Sequence, residues 1–283
     1  MRFSAGEAAF EGFRVTRQHP AALLGWSLVW LLSVVATILT ALPILQPVMG
    51  ELQALLQSIA TGAQAEPSLA IQTRMAYATW ATLPISVVTQ AVFIPALYRA
   101  MASEGRDRFA FLRLSRVELR VLGVLTALSL ISLVLSQIGD TAATVFQGTS
   151  FSVLGGMISF AATLAGIIVA VRLVLATPQT FETGHMDLTA AWRLTTQMFW
   201  PLFGLAIMAG VMACVVVLLL TIMALPLSGL AAGAQAGSTL AGIAMAGLLL
   251  LVSLGSALVM TIVAAPFMAV YREVTGAKSA TRG

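Results

Sequence analysis

The stretch FWPLFGLAIMAGVMACVVVLLLTIMAL, residues 199–225, contains no charged side chain and no amide side chain. Coiled as a helix at about 1.5 Å per residue it reaches roughly 40 Å, more than the ~30 Å hydrocarbon core of a bilayer. In hydrocarbon each backbone N–H and C=O must find its partner within the segment, which a helix provides. A run this long and this uniformly apolar therefore reads as a membrane-spanning helix, not as the core helix of a water-soluble domain.

Five further stretches pass the same test: Ala21–Leu45, Tyr77–Tyr98, Val117–Ile138, Phe151–Ala176 and Leu240–Tyr271. The chain as a whole agrees, with 59% hydrophobic and 9% charged residues. Its mean hydropathy is +0.96. Water-soluble domains carry about 25% charged residues, and a globule of this length could not be solvated by so few. The fold class expected is all-α, a polytopic bundle of six transmembrane helices forming one membrane domain over 1–283. The run from Ala21 is too long for the apolar segment of a signal peptide, so it is read as a retained first span. Cys214 is the only cysteine and lies within an apolar run, which excludes a disulfide framework. Scarce acids and clustered arginines, not a nucleic-acid surface, account for the net charge of +4.

The charges sort by side. The segment before Ala21, the Arg99–Arg120 connection, the Pro178–Arg193 connection and the residues after Tyr271 hold nearly every Lys and Arg. Of 15 basic residues only Arg74 falls in the alternate connections, provided Arg172 is grouped with the end of its span. The positive-inside rule makes the basic side cytoplasmic and places both termini there, in the cytoplasmic (inner) membrane of a bacterium. Glu51–Arg74, Gly139–Ser150 and Pro226–Thr239 then face outside. Within the first of these, Pro47–Ala60 gathers Val48, Met49, Leu52, Leu55, Leu56 and Ile59 on one helical face, as expected for a short amphipathic helix at the outer interface or packed back on the bundle.

A local pattern recurs three times: Phe13-Arg14-Val15-Thr16, Leu112-Arg113-Leu114-Ser115 and Trp192-Arg193-Leu194-Thr195. Each leads into an odd-numbered span with a glycine behind it, Gly25, Gly123 or Gly204. Each even-numbered span closes on a proline followed by an aromatic and an acid: Pro95/Tyr98/Glu104, Pro178/Phe181/Glu182 and Pro266/Tyr271/Glu273. Three parallel repeats are expected, at 1–104, 105–183 and 184–276 with a short tail at 277–283, each an amphipathic leading helix and two spans.

Three segments also carry a resemblance: Phe10–Pro20, Asp187-Leu188-Thr189-Ala190-Ala191-Trp192-Arg193-Leu194-Thr195, and Ala265-Pro266-Phe267-Met268-Ala269-Val270-Tyr271-Arg272-Glu273. In these the chain resembles a broad group of bacterial six-span membrane proteins, including the membrane domain that precedes some glycerophosphodiester phosphodiesterases. The catalytic domain of those enzymes has no counterpart in these residues. The resemblance implies a fold type and a membrane-associated role, and no reaction.

Chemistry-bearing constellations are sparse. No His-x-x-x-His, Gly-x-Ser-x-Gly, P-loop or paired-cysteine pattern occurs, and no Asp or Glu falls mid-span. No cofactor and no metal ligand set is expected, and an interfacial enzyme would have to work from His185 with Glu182 and Asp187. Arg172 stands about a turn from the inner end of its span. It either snorkels to the interface or meets an anion or lipid headgroup between repeats. Gln90 and Gln137 are expected to bond across helices or to an interface, the 13 methionines to fill space, and Trp26, Trp30, Trp80 and Trp200 to join interfacial belts. The leading segments Phe10–Pro20, Arg106–Arg120 and Asp187–Phe199 mix arginine with aromatic and aliphatic residues and contain no lysine. They are expected to lie on the inner leaflet, with Arg14, Arg113 and Arg193 on lipid phosphates, or else to bind a cytoplasmic partner.

The expected function is a non-enzymatic envelope protein that handles or senses lipid or scaffolds other proteins; the alternative is a channel or transporter for a small or apolar solute. The expected partners are membrane lipids with anionic headgroups, together with a membrane protein or a second copy of the chain. Reporter fusions at Ala63, Gly148 and Gly233 should give extracytoplasmic activity, and fusions at Gly105 and Gly184 cytoplasmic activity. One clear reversal would remove the six-span topology.

Overall fold

A computed structural model describes residues 5–62, 67–103, 110–113, 115–146, 148–235 and 238–276. Of these, 89% are helical and none lies in a strand. In chain order the helices are α1 (Ala5–Ala9), α2 (Glu11–Gln18), α3 (Pro20–Leu45), α4 (Met49–Ala60), α5 (Leu69–Ala102), α6 (Arg116–Phe146), α7 (Ser152–Leu173), α8 (Ala176–Thr183), α9 (Leu188–Thr196), α10 (Phe199–Gly233) and α11 (Thr239–Thr275). Six stretches are long and apolar enough to cross a membrane: α3 with α4, α5, α6, α7 with α8, α10, and α11. The chain is a multi-pass integral membrane protein.

The spans pack side by side in the order α10, α11, α3, α5, α6, α7, while α7 and α10 touch only briefly. Helix α10 buries a single narrow face, Leu202, Leu205, Ala209, Ala213 and Val216, whereas α7 buries Gly155, Ala162 and Leu173 on one side and, at the basic end, Val171 on the other, against Leu202 and Leu205. The bundle is thus a crescent, with α3 and α5 at its middle.

Burial is concentrated at one end, where α3, α6 and α10 begin and α5, α8 and α11 finish; we refer to it as the basic end. On α5 the buried run is Phe93–Tyr98 and Ala100, and on α11 it is Ala264–Met268, Val270 and Tyr271. Trp26, Phe93, Leu97 and Met268 are fully buried in the cluster that joins α3, α5 and α11. Prolines lie within this packing. Pro95 and Pro266 sit inside continuous helices, where each removes a backbone bond, whereas Pro178 sits in the first turn of α8, where no bond is lost. All three are buried at the basic end. Glu104 and Leu114 of the recurring patterns, and the tail 277–283, lie outside the described residues.

Farther along, a polar contact joins α3 to α5, with the Thr89 hydroxyl donating to Ser33 Oγ at 2.8 Å. Such bonds between spans contribute about 0.6 kcal/mol on average. Most other hydroxyls in the spans bond back to a carbonyl one turn earlier.

The helices outrun the apolar stretches. Helix α5 begins at Leu69, capped by Ser68 Oγ accepting from the Ile71 amide at 3.3 Å, eight residues before Tyr77. Helix α6 runs on to Phe146 and α10 to Gly233, through Pro226. Once outside hydrocarbon a helix needs no apolar side chains, so hydropathy stops short of its end. Helix α4 covers most of Pro47–Ala60 and joins α3 through a single 310 turn at Gln46–Val48. Trp26 departs from the interfacial-belt expectation. It is fully buried, edge-on to Phe93 at 5.4 Å, and its Nε1 donates to the Ala110 carbonyl at 2.9 Å.

The leading segments differ from one another. Helix α2 lies on α11, and α9 lies against α7. The middle one forms no separate helix in its described part. Ala110 and Phe111 turn with positive φ (52° and 62°), and Arg116–Arg120 is already the first turn of α6. The cause is tertiary: residues 110–113 are drawn under Trp26 and Arg99, whose side chains donate to the carbonyls of Ala110 and Phe111.

Gly12 permits the closest approach of α2. A Cβ there would stand 2.5 Å from Ile262 Cα and 3.0 Å from the Thr261 carbonyl oxygen, neither of which can swing aside. Gly12→Val should therefore lift α2 off α11 while leaving the spans inserted. The check is maleimide labelling of Val15→Cys in a Cys214→Ser background. Val15 is only 2% exposed, so labelling should be slow, and it should become fast when Gly12→Val is added.

Candidate functional site

The basic end holds most of the ionisable side chains, and the ends of α5, α8 and α11 meet there. Tyr98 and Phe181 contact edge to face at 5.4 Å, joining α5 to α8. The Arg272 guanidinium of α11 donates to Glu182 Oε1, from Nε at 2.8 Å, and its Nη1 reaches the Met101 carbonyl at 3.4 Å. One arginine thus ties α11 to both α8 and α5. A second, Arg99, pairs with Glu118 of α6, donates to the Phe111 carbonyl at 3.1 Å and stands 6.0 Å over the Phe181 ring. Glu118 is buried, and its other oxygen accepts from the Ser115 amide at 2.7 Å. Both ion pairs are largely withdrawn from solvent, so each removal strands a charge.

Between α1–α2 and these helix ends opens a polar crevice of about 1190 Å³. Its walls carry Glu7, Glu11, Glu182 and Glu273 against Arg14 and Arg272, with His19 and Gln18 beside them. Both guanidiniums are already partnered, Arg14 by Glu11 at 2.6 Å and Arg272 by Glu182 at 2.7 Å. Among the described residues no group of three or more His, Cys, Asp or Glu stands ready to hold a metal ion.

The four arginines singled out in the sequence do not converge. Arg14 lines the crevice with its side chain 65% exposed. Arg113 is exposed in the turn before α6. Arg193 is exposed on α9, beside a shallow hollow it shares with Asp187, Thr189 and Gln197. Arg172, in the last turn of α7, points at α9 and lies between two rings, 5.5 Å from the centre of Trp192 and 5.3 Å from that of Phe199. Its Nε and Nη1 are buried and meet no acceptor among the described residues. The Thr195 hydroxyl completes this joint by donating to the Arg172 carbonyl at 2.7 Å. Position at a helix C-terminus and two aromatic faces both favour the cation there.

His185, Glu182 and Asp187 are separately engaged. Glu182 holds Arg272, and the exposed His185 follows the left-handed Gly184 that ends α8. Asp187 caps α9, and hydrogen bonds from the Thr189 hydroxyl and the Ala190 amide hold its carboxyl below the usual range. The residues missed in the sequence are Arg99 and Arg272, with Glu118; Glu182 is singled out there, but not as the partner of Arg272. A signal existed: the dipeptide Tyr-Arg occurs at 98–99 and again at 271–272, each after a buried proline.

Glu182→Ala should lower stability by about 1–2 kcal/mol, since the arginine it leaves is mostly buried and keeps one long carbonyl contact. Thermal melting in detergent, in a double-mutant cycle with Arg272→Met, should show that the second change costs little once the first is made.

Comparison with protein-family models, curated proteins and solved structures finds no match for this chain.

Proposed function

We propose that this chain is a bacterial inner-membrane protein that binds lipid in order to handle or sense it, with both termini cytoplasmic and the basic end engaging anionic headgroups. One observation carries the reading. Helices α2 and α9 dock on the bundle through small or compact residues, Gly12 and Val15 on one and Ala191 and Thr195 on the other. Their outward faces then combine aromatics with arginine. Phe13 and Arg17 project from α2, Phe10 (53% exposed) and the Glu11-paired Arg14 stand at the rim of the crevice, and Trp192 and Arg193 project from α9.

Exposed aromatic rings beside guanidinium groups suit the headgroup boundary, where ring and charge each find their own medium. Arginine also grips phosphate with two parallel hydrogen bonds, which lysine cannot. Arg172, buried under Trp192, supports α9 from below and is read as a positioning residue for Arg193.

Each basic residue beside an anionic leaflet contributes about 1 kcal/mol, so losing three should weaken anionic-lipid binding by about a hundredfold. The test is mass spectrometry of lipid co-purifying with the Arg14→Gln, Arg113→Gln, Arg193→Gln variant. Reduced phosphatidylglycerol with normal insertion is expected. Unchanged lipid content would overturn the reading.

A further inference from the structure

A second recess lies away from the crevice, between α5 and α6. It has a volume of about 470 Å³ and is lined by Leu83, Gln90, Leu125, Leu128, Ser129 and Ser132. At 1.5 Å per residue, Gln90 stands about 18 Å along α5 from Ala102, and Ser132 about 24 Å along α6 from Arg116. This is mid-hydrocarbon depth for a core ~30 Å thick.

Its polar groups are unusual for this chain. Thr82, Ser86, Thr126, Thr163, Ser253 and Thr261 all donate to a carbonyl on their own helix. Gln90, Ser129 and Ser132 make no hydrogen bond among the described residues, although hydrocarbon offers no substitute partner. At a similar depth on α3, the buried Trp30 Nε1 also lacks an acceptor there.

The recess opens inward. Gln90 shares its helical face with Val87, Ile94 and Leu97, all buried, while Val88 on the lipid side is 51% exposed. Ser129 and Ser132 share theirs with the buried Leu125, while Leu130 and Val134 look outward. Ser132 is nevertheless exposed, so the concave side of the crescent is open at this depth. The open side of the crescent is bordered by α7 and α10, which meet only briefly and pack together at the basic end.

Building on the lipid-handling reading, we propose that this recess binds the polar group of a neutral amphiphile, a lipid with a free hydroxyl or ester carbonyl and no charge, admitted between α7 and α10. No ionisable side chain lines the recess, so a charged headgroup has no counter-ion there. The amide and two hydroxyls offer both donors and acceptors, and the leucines accept the adjoining chain. The volume suits a lipid's polar group and first methylenes, not its full length.

The experiment uses the full chain in phosphatidylcholine vesicles containing a trace of dioleoylglycerol with a diazirine on one chain. Photolabelling should map to the inward faces of α5 and α6 and be competed by unlabelled dioleoylglycerol. The Gln90→Leu, Ser129→Ala, Ser132→Ala variant should label about fivefold less, as expected for losing one to two hydrogen bonds. Should that variant fail to fold, Ser132→Phe fills the recess from an exposed position and should give the same loss. Labelling that is unchanged in the variants, or spread over the outward Val88, Leu130 and Val134, overturns the proposal. Phosphatidylglycerol retention, read separately on the arginine variant, reports the headgroup reading alone, so failure of one is distinguishable from failure of the other.

Discussion

In a bilayer an apolar side chain gains little by leaving lipid for another helix, so a bundle is held by close packing and by its few polar contacts. In this chain both are concentrated where α5, α8 and α11 converge. The buried prolines, the Tyr98–Phe181 contact and the Arg272–Glu182 pair occupy one end of the molecule. Several of the other helices attach to that end, while α4 and the far halves of α6 and α7 pack away from it. Helix α6 is fixed through Glu118 and Arg99, α3 through Trp26, α2 through Gly12 against α11, and α9 through Thr195 against α7.

The arginines accordingly serve two purposes. Arg99 and Arg272 are turned inward and satisfied by carboxylates and backbone carbonyls, and so act as internal clamps. Arg14 and Arg193 sit on small helices with most of their outer surface free of the bundle. Arg172 is intermediate, its charge held by two rings in place of an acid. The positive-inside bias counts all of these alike, yet only Arg193 and the Glu11-paired Arg14 are turned away from the bundle.

Six spans were legible because a run such as Phe199–Leu225 permits one structure in hydrocarbon. The helical leading segments at Glu11–Gln18 and Leu188–Thr196 were legible from their mixed arginine and apolar pattern. Other features depend on partners distant in sequence. Arg272 and Glu182 are far apart along the chain, and Trp26 leaves the lipid boundary only because Phe93 and the Ala110 carbonyl await it. The helical extension past Ile138 carries little hydropathy signal, and the one past Leu225 continues a weaker apolar run broken by Pro226 and Ser228. Gln90, Ser129 and Ser132 read as scattered polar residues until α5 and α6 are set side by side, when they fall into one recess.

The length of α10 has a mechanical consequence. From Phe199 to Leu230 the helix stays apolar, and Leu225 and Leu230 are 61% and 49% exposed. That is roughly 46 Å of greasy rod against a hydrocarbon layer of ~30 Å. Tilting within the usual range removes only part of the excess, and the remainder must be met by lipid that stretches around the crescent's free edge. Lipid beside the exposed edge of α10 is therefore expected to be thicker, with more extended chains, than bilayer far from the protein. Hydrophobic mismatch of this kind sorts proteins by membrane thickness, and an edge this long would also order the lipid that stands beside it.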